Sequence, residues 1–159
     1  MDLRILYAII ITILPISELR GGLPLAIIYA KDNNIPLILI FSLIVLLNIL
    51  VVFFVFYFLD NIHHVLLNVK LYKKFFESYM KRLQRKIDKF EKKYSTLGFL
   101  ALTLFVAVPL PITGAWSGCL VSWALGLDRK KSILAISIGI VIAGLIIFFG
   151  TIGFMNLFF

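Results

Sequence analysis

Glu18 and Arg20 are charged residues in a place that disfavours charge. They lie in residues 3–30, a long apolar stretch otherwise interrupted only by Arg4. At the centre of a membrane helix such a charge costs roughly 2.5–3.5 kcal/mol on insertion scales, so a pair of them calls for a reason. Arg20 carries a permanently charged planar fork suited to a phosphate or a carboxylate. Glu18 can take up and release a proton. The amides of Gly21 and Gly22, at the start of a half-helix, would add donors for an anion. Together they predict a substrate or coupling-ion site, and the structural alternative is an ion pair that holds a turn. In a helix the i,i+2 spacing sends the two side chains to nearly opposite sides, whereas in an extended turn they share a face.

A second polar constellation is uncharged. The run Pro-Leu-Pro-Ile-Thr-Gly-Ala-Trp-Ser-Gly at 109–118 offers Thr113, Ser117 and the backbone freed by Pro109 and Pro111. Trp116 could stack on a ligand or serve in packing at the membrane interface. His63 and His64 follow Asp60, but a metal site needs more ligands than stand nearby, so no metal and no cofactor is expected. The single cysteine, Cys119, excludes an intramolecular disulfide. No GxSxG, P-loop, HExxH or dinucleotide fingerprint is present, and no enzyme activity is expected.

The elements that must hold these residues are apolar. Of the 159 residues, 62% are hydrophobic, with a mean hydropathy of +1.05, against roughly 45–50% apolar in soluble domains. Residues 35–59, 97–127 and 133–159 contain no charge, and about 20 apolar residues span a bilayer. The opening Met-Asp-Leu-Arg lacks a basic n-region and a small-residue cleavage site, so 3–30 is expected to remain as a structural segment rather than a removed signal. Its run Pro-Ile-Ser-Glu-Leu-Arg-Gly-Gly-Leu-Pro at 15–24 breaks the helix, since proline removes a donor and glycine weakens helix. The limb before the break reaches only about 18 Å of a core about 30 Å thick. Segment 3–30 therefore reads as a re-entrant helical hairpin followed by a transmembrane helix at 35–59. Segment 97–127 repeats the pattern, followed by a transmembrane helix at 133–154.

Charge placement supports this topology. Ten of the sixteen Lys and Arg lie in residues 70–93. If 97–127 re-enters, Arg129, Lys130 and Lys131 join them on one side, in keeping with the positive-inside tendency. Residues 60–96 and 128–132 are then cytoplasmic in a multi-pass cell-membrane protein. The net charge of +8 is thus a topology and lipid signal, with no nucleic-acid partner expected. Within 61–95, apolar residues recur at three- and four-residue steps among Lys and Arg, which predicts a basic amphipathic helix in the interface or a helical hairpin packed on itself or a partner. At an offset of 96, Pro15 matches Pro111, Gly22 matches Gly118, Ala26 matches Ser122 and Asp32 matches Asp128. The expected architecture is all-α and membrane-integral: two inverted repeats, 1–59 and 97–159, joined by the basic helix at 60–96. Asn48 is expected to make an interhelical hydrogen bond, and Ala135, Gly139 and Ala143 to form a packing stripe or a dimer seam.

The run Ser-Glu-Leu-Arg-Gly-Gly-Leu-Pro at 17–24, paired with Pro-Leu-Pro-Ile-Thr-Gly-Ala-Trp at 109–116 across a basic linker, resembles the small multi-drug export protein family over nearly the whole chain. The two-hairpin plan is more distantly similar to the DedA/VTT superfamily of membrane transporters and lipid translocases. These resemblances imply paired re-entrant loops meeting near the midplane, with Glu18, Arg20, Pro24, Pro109, Pro111 and Gly114 in the site. The sequence departs from the pattern at Ile112, where glycine is expected, and in lacking the arginines of DedA-like second hairpins. Three functions follow as expectations. The first is a secondary transporter of an amphipathic or anionic substrate, with the proton as candidate coupling ion. The second is a lipid or polyprenyl-phosphate translocase, and the third a non-transport scaffold. Membrane lipids and a small-molecule or lipid substrate are the expected partners. Four membrane segments form a thin wall, so a homo-oligomer is expected.

Overall fold

The computed structural model describes residues 3–15, 17–61, 95–110 and 113–158, with the backbone alone at 95–97 and 158. The basic amphipathic helix expected at 60–96 falls almost wholly outside the described residues, as do His63, His64, Pro111 and Ile112. Every described element is a helix: α1 (Leu3–Ile13), α2 (Glu18–Asp32), α3 (Leu37–Asn61), α4 (Ser95–Ala107), α5 (Ala115–Ala124) and α6 (Arg129–Phe158).

Lengths divide these helices into two kinds. The 25 residues of α3 and 30 of α6 extend about 37 and 45 Å, beyond a hydrocarbon core of about 30 Å. Both are long and apolar enough to cross a membrane. They also leave large apolar side chains outside: Phe53, Phe54, Tyr57 and Phe149 are each more than half exposed, a surface that suits lipid rather than water. The other four helices, of 10 to 15 residues, are too short to cross alone. The order short, short, long occurs twice.

Two ion pairs and one apolar groove fix the directions. Arg4, at the start of α1, pairs with Asp32, at the end of α2, at 2.9 Å, so the first two helices run out and back. Phe99, near the start of α4, shares a groove with Leu127, Asp128 and Lys131, so the second short pair also returns to its starting level. Asp60, near the end of α3, meets Arg129, the first residue of α6, at 2.6 Å. The open ends of the two short pairs therefore lie at opposite ends of the bundle. Leu23 and Ile27 of α2, Ile44 and Val52 of α3 and Ile136 of α6 are fully buried in the core between them.

The first break is shorter than the sequence predicts. It falls between Ile13 and Glu18, and Gly21, Gly22 and Pro24 lie inside a continuous α2. Proline there removes a single donor, the one that would reach the Arg20 carbonyl. The glycines stay helical because of close packing: a Cβ on Gly22 would overlap the Thr12 hydroxyl and come within 2.8 Å of the Ala8 carbonyl. Gly118, its counterpart at the offset of 96, does the same for the second pair, with its Cβ position 2.8 Å from Val106 of α4. The ends of α2 and α5 also correspond. Each closes through a left-handed residue, Asn34 (φ 53°) and Gly126 (φ 61°). In each, the next amide reaches back five residues, from Ile35 to the Ala30 carbonyl and from Leu127 to the Ser122 carbonyl.

The repeats differ in packing. α1 lies chiefly against α2, whereas α4 lies chiefly against α6. The stripe Ala135, Gly139 and Ala143 is buried, and a Cβ on Gly139 would stand 2.7 Å from Val106 Cβ and 2.8 Å from the Thr103 carbonyl. This stripe is an internal seam with α4. Replacing Gly139 with leucine is expected to lower stability by about 1–3 kcal/mol through overpacking, read as a drop in Tm in detergent. Asn48 makes the expected interhelical bond, its amide donating to the Thr12 carbonyl at 3.3 Å.

Candidate functional site

The tips of the two short pairs meet in the middle of the bundle. From the first pair come the end of α1, residues 14, 15 and 17 and the first turn of α2; from the second, residues 108–110, 113 and 114 and the first turn of α5. The breaks leave helix ends unsatisfied on both sides, since the first amides and last carbonyls of a helix have no partner within it.

Glu18 opens α2 with a positive φ of 47°. This left-handed conformation costs a non-glycine residue roughly 1–2 kcal/mol, and two hydrogen bonds across the junction hold the side chain in return. The Ala115 amide donates to Glu18 Oε2 at 2.9 Å, and the Trp116 amide to Oε1 at 3.0 Å. The carboxylate thus caps the N-terminus of α5 from another helix, where the peptide dipoles sum to about half a positive charge. Glu18 is 7% exposed, the one buried acidic side chain among the described residues. Gly114 lies directly beneath it, and a Cβ there would occupy the space of the carboxylate.

Arg20 serves the opposite polarity. Its guanidinium donates to the Leu110 carbonyl and, at 2.7 Å, to the Thr113 hydroxyl. These acceptors lie in the connection between α4, which ends at Ala107, and α5. The Thr113 hydroxyl lies within reach of the Val108 and Leu110 carbonyls, at 2.7 and 3.0 Å, which ties this turn together. Because α2 is helical from Glu18, the two charged side chains diverge as the i,i+2 spacing requires. They do not pair with each other; the carboxylate goes to α5 and the guanidinium to the exit of α4.

The remaining predicted residues are distributed as follows. The indole N–H of Trp116 donates to the Ile13 carbonyl at 3.1 Å, closing the end of α1. The Ser117 hydroxyl accepts from the Gly114 amide at 2.9 Å and caps its own helix. The Gly21 amide donates to the Ser17 carbonyl at 3.2 Å, so it is not presented to an anion. Gly22 packs on α1, and Pro24 sits two turns into α2, away from the junction. Pro109 is half-buried in the second turn. The junction therefore gathers Glu18, Arg20, Thr113, Gly114, Trp116 and Ser117. Sequence reasoning missed two partners, the Leu110 and Ile13 carbonyls. The signal for both was the helix breaks themselves, which guarantee free carbonyls.

Electrostatically, the junction is a pair of complementary contacts between a charged turn and an uncharged one. Chemically, it holds one carboxylate whose two acceptor oxygens are occupied by backbone donors. Taking up a proton would turn one of those oxygens into a donor facing another donor.

No curated protein and no solved structure matched the chain. The sequence pattern of one family, described as "Putative small multi-drug export protein", matches residues 18–146, a span that begins at Glu18 and takes in the whole junction from there through α6 as far as residue 146. That match does not show the distant similarity to the DedA/VTT superfamily. Two of its helices are long and apolar enough to cross a bilayer, and, with four-fifths of its length inside that match, the chain belongs to the small multi-drug export protein family.

Proposed function

We propose that this protein is a secondary transporter that exports an amphipathic or anionic small molecule, with Glu18 carrying the coupling proton. The observation behind this is the Glu18 carboxylate, buried at the meeting point of two half-length helix pairs and bonded there to two α5 amides. Ionised, it ties the two tips together. Protonated, it loses its attraction for the α5 N-terminus and one of its two acceptors, and the tips can part.

In this proposal each short pair is a re-entrant hairpin, entering from its own face and ending near the midplane. At about 1.5 Å per residue, α1, α2, α4 and α5 rise about 15–22 Å, which suits that depth. α3 and α6 cross. The end bearing Asp60, Arg129 and the basic run at 70–93 faces the cytoplasm, by the positive-inside tendency. Alternating access would then be the movement of one hairpin against the other about the Glu18 junction. A second copy of the chain completes the wall of the path. Crosslinking in native membrane is expected to give a dimer, and monomer alone would refute that part.

The direct test is reconstitution into liposomes with an imposed proton gradient. Wild-type protein is expected to move a lipophilic cation or organic anion dye against its gradient, with Glu18→Gln inactive. Lipid flipping without any gradient would move the assignment to a translocase. No transport by the wild type, together with full function in cells of variants at both Glu18 and Arg20, would leave only a scaffold.

A further inference from the structure

The bundle does not close over its own junction. Glu18 is buried there, but the side chains at the two tips stand outside: Ile13, Leu14, Val108 and Leu110 are each between 43% and 56% exposed. Ile13 ends α1, and the other three lie in the non-helical connections. Arg20 is half-buried among them. Its bonds to the Leu110 carbonyl and the Thr113 hydroxyl use, among the described residues, two of the five N–H groups of a guanidinium. The same bonds tether it to the tip, so it cannot snorkel to a headgroup about 15 Å away. The tips also carry spare acceptors. Pro15 and Pro109 stand where an N–H would otherwise serve the carbonyls of Ile11 and Phe105.

Lipid does not suit this surface at the depth where the transport proposal puts it. Irregular backbone within the hydrocarbon is tolerated only where protein or a water-filled cavity covers it, and an arginine near the membrane centre costs roughly 2.5–3.5 kcal/mol on insertion scales. Water does not suit it either, because four apolar side chains surround the polar groups. We infer that a second copy of the chain covers the junction, tip against tip, about a two-fold axis along the membrane normal. Copies inserted in the same direction hold their tips at the same depth, and such an axis brings like surface to like. The surface is self-complementary, as a two-fold contact requires. It offers free donors on Arg20, carbonyls that lack a helical donor, and an apolar rim to exclude water around them. The junction is therefore incomplete in one chain, and the partner supplies its outer wall. This assigns a face to the second copy that the transport proposal calls for, and it rests on that proposal for the depth of the tips.

The test is disulfide cross-linking of the full chain in native membranes. The native Cys119 is buried and is replaced by alanine. Single cysteines then go to Leu14, Val108 or Leu110, and to Leu50 or Ile146 as controls, which are comparably exposed near the middle of α3 and α6. Mild oxidation is expected to give dimer at one or more tip positions, at several times the yield of either control. Dimer at the controls with none at the tips would overturn the inference, as would monomer throughout. A tip cysteine that links to a different polypeptide would overturn the assignment to a second copy. The depth of the tips is read separately. A membrane-impermeant maleimide is expected to label Leu110→Cys at least tenfold more slowly than Asn33→Cys, which is exposed beyond the end of α2. Equal labelling would put the tips in water and overturn the midplane topology with the inference, whereas slow labelling without a cross-link would overturn the inference alone.

Discussion

Glu18→Gln is expected to fold, to reach the membrane and to lose all gradient-driven transport. Glutamine keeps one acceptor oxygen at the start of α5, so it can still take one of the bonds that the Ala115 and Trp116 amides make at 2.9 and 3.0 Å. The bond it loses is charge-assisted, worth roughly 1.5–3 kcal/mol. Stability should therefore fall by an amount of that order, visible as a modest drop in Tm. Transport should fall to the level of empty vesicles, because no proton can be carried. Glu18→Ala serves as the contrast, since it leaves both amides without an acceptor at about 1–3 kcal/mol each and should unfold earlier. Proton-driven transport that persists in Glu18→Gln would reduce the carboxylate to a structural tie and remove the proton from its role.

Gly114→Ala should be nearly as severe for a different reason. The glycine is extended, with φ 168°, a conformation open to any residue. Its cost is purely spatial, because a methyl group there would fill the volume of the Glu18 carboxylate. The carboxylate must then leave both amides, and the combined loss is on the order of 2–5 kcal/mol. Thermal unfolding of Gly114→Ala, Glu18→Ala and the double variant measures this directly. The two changes act on one contact, so the double variant should be much less destabilised than the sum of the singles. Strict additivity would mean that the contact does not exist in the folded protein.

Much of this was legible in the sequence, and the unevenness is instructive. The uncharged runs at 35–59 and 133–159 make up most of the two long helices, because length and apolarity are properties of sequence alone. Pro15, and the Pro109-to-Gly114 run, marked where helices stop. The extent of the first break was not legible. Gly21, Gly22 and Pro24 look like breakers in isolation, yet α2 runs through them. Whether a glycine breaks a helix or lets a neighbour approach depends on Thr12 and Ala8 standing opposite, a tertiary fact.

The roles of Glu18 and Arg20 were half legible. Their chemistry pointed to a buried anion and a buried cation, but the partners carry no charge in the sequence. They are the start of α5, whose polarity comes from aligned peptides, and the Leu110 carbonyl and Thr113 hydroxyl in the connection after α4. A second hairpin without charged residues was therefore never electrically neutral at its tip. The site gathers residues that the sequence named, but several of them, Trp116 and Ser117 in particular, hold the frame rather than face an opening.

The difference in length between α3 and α6 has its own consequence. α3 has 25 residues and α6 has 30, and they begin or end at a common level where Asp60 meets Arg129. α6 therefore outreaches α3 by about 7 Å on the opposite face. In the proposed topology, where α3 and α6 both cross, no single bilayer thickness matches both. In a thin membrane α6 must lean or protrude, and in a thick one the lipid must dimple toward the end of α3. Hydrophobic mismatch in that topology falls on one side of the molecule, beside the open end of the first short pair where Arg4 meets Asp32, and the lipid there is expected to be the most deformed around the protein.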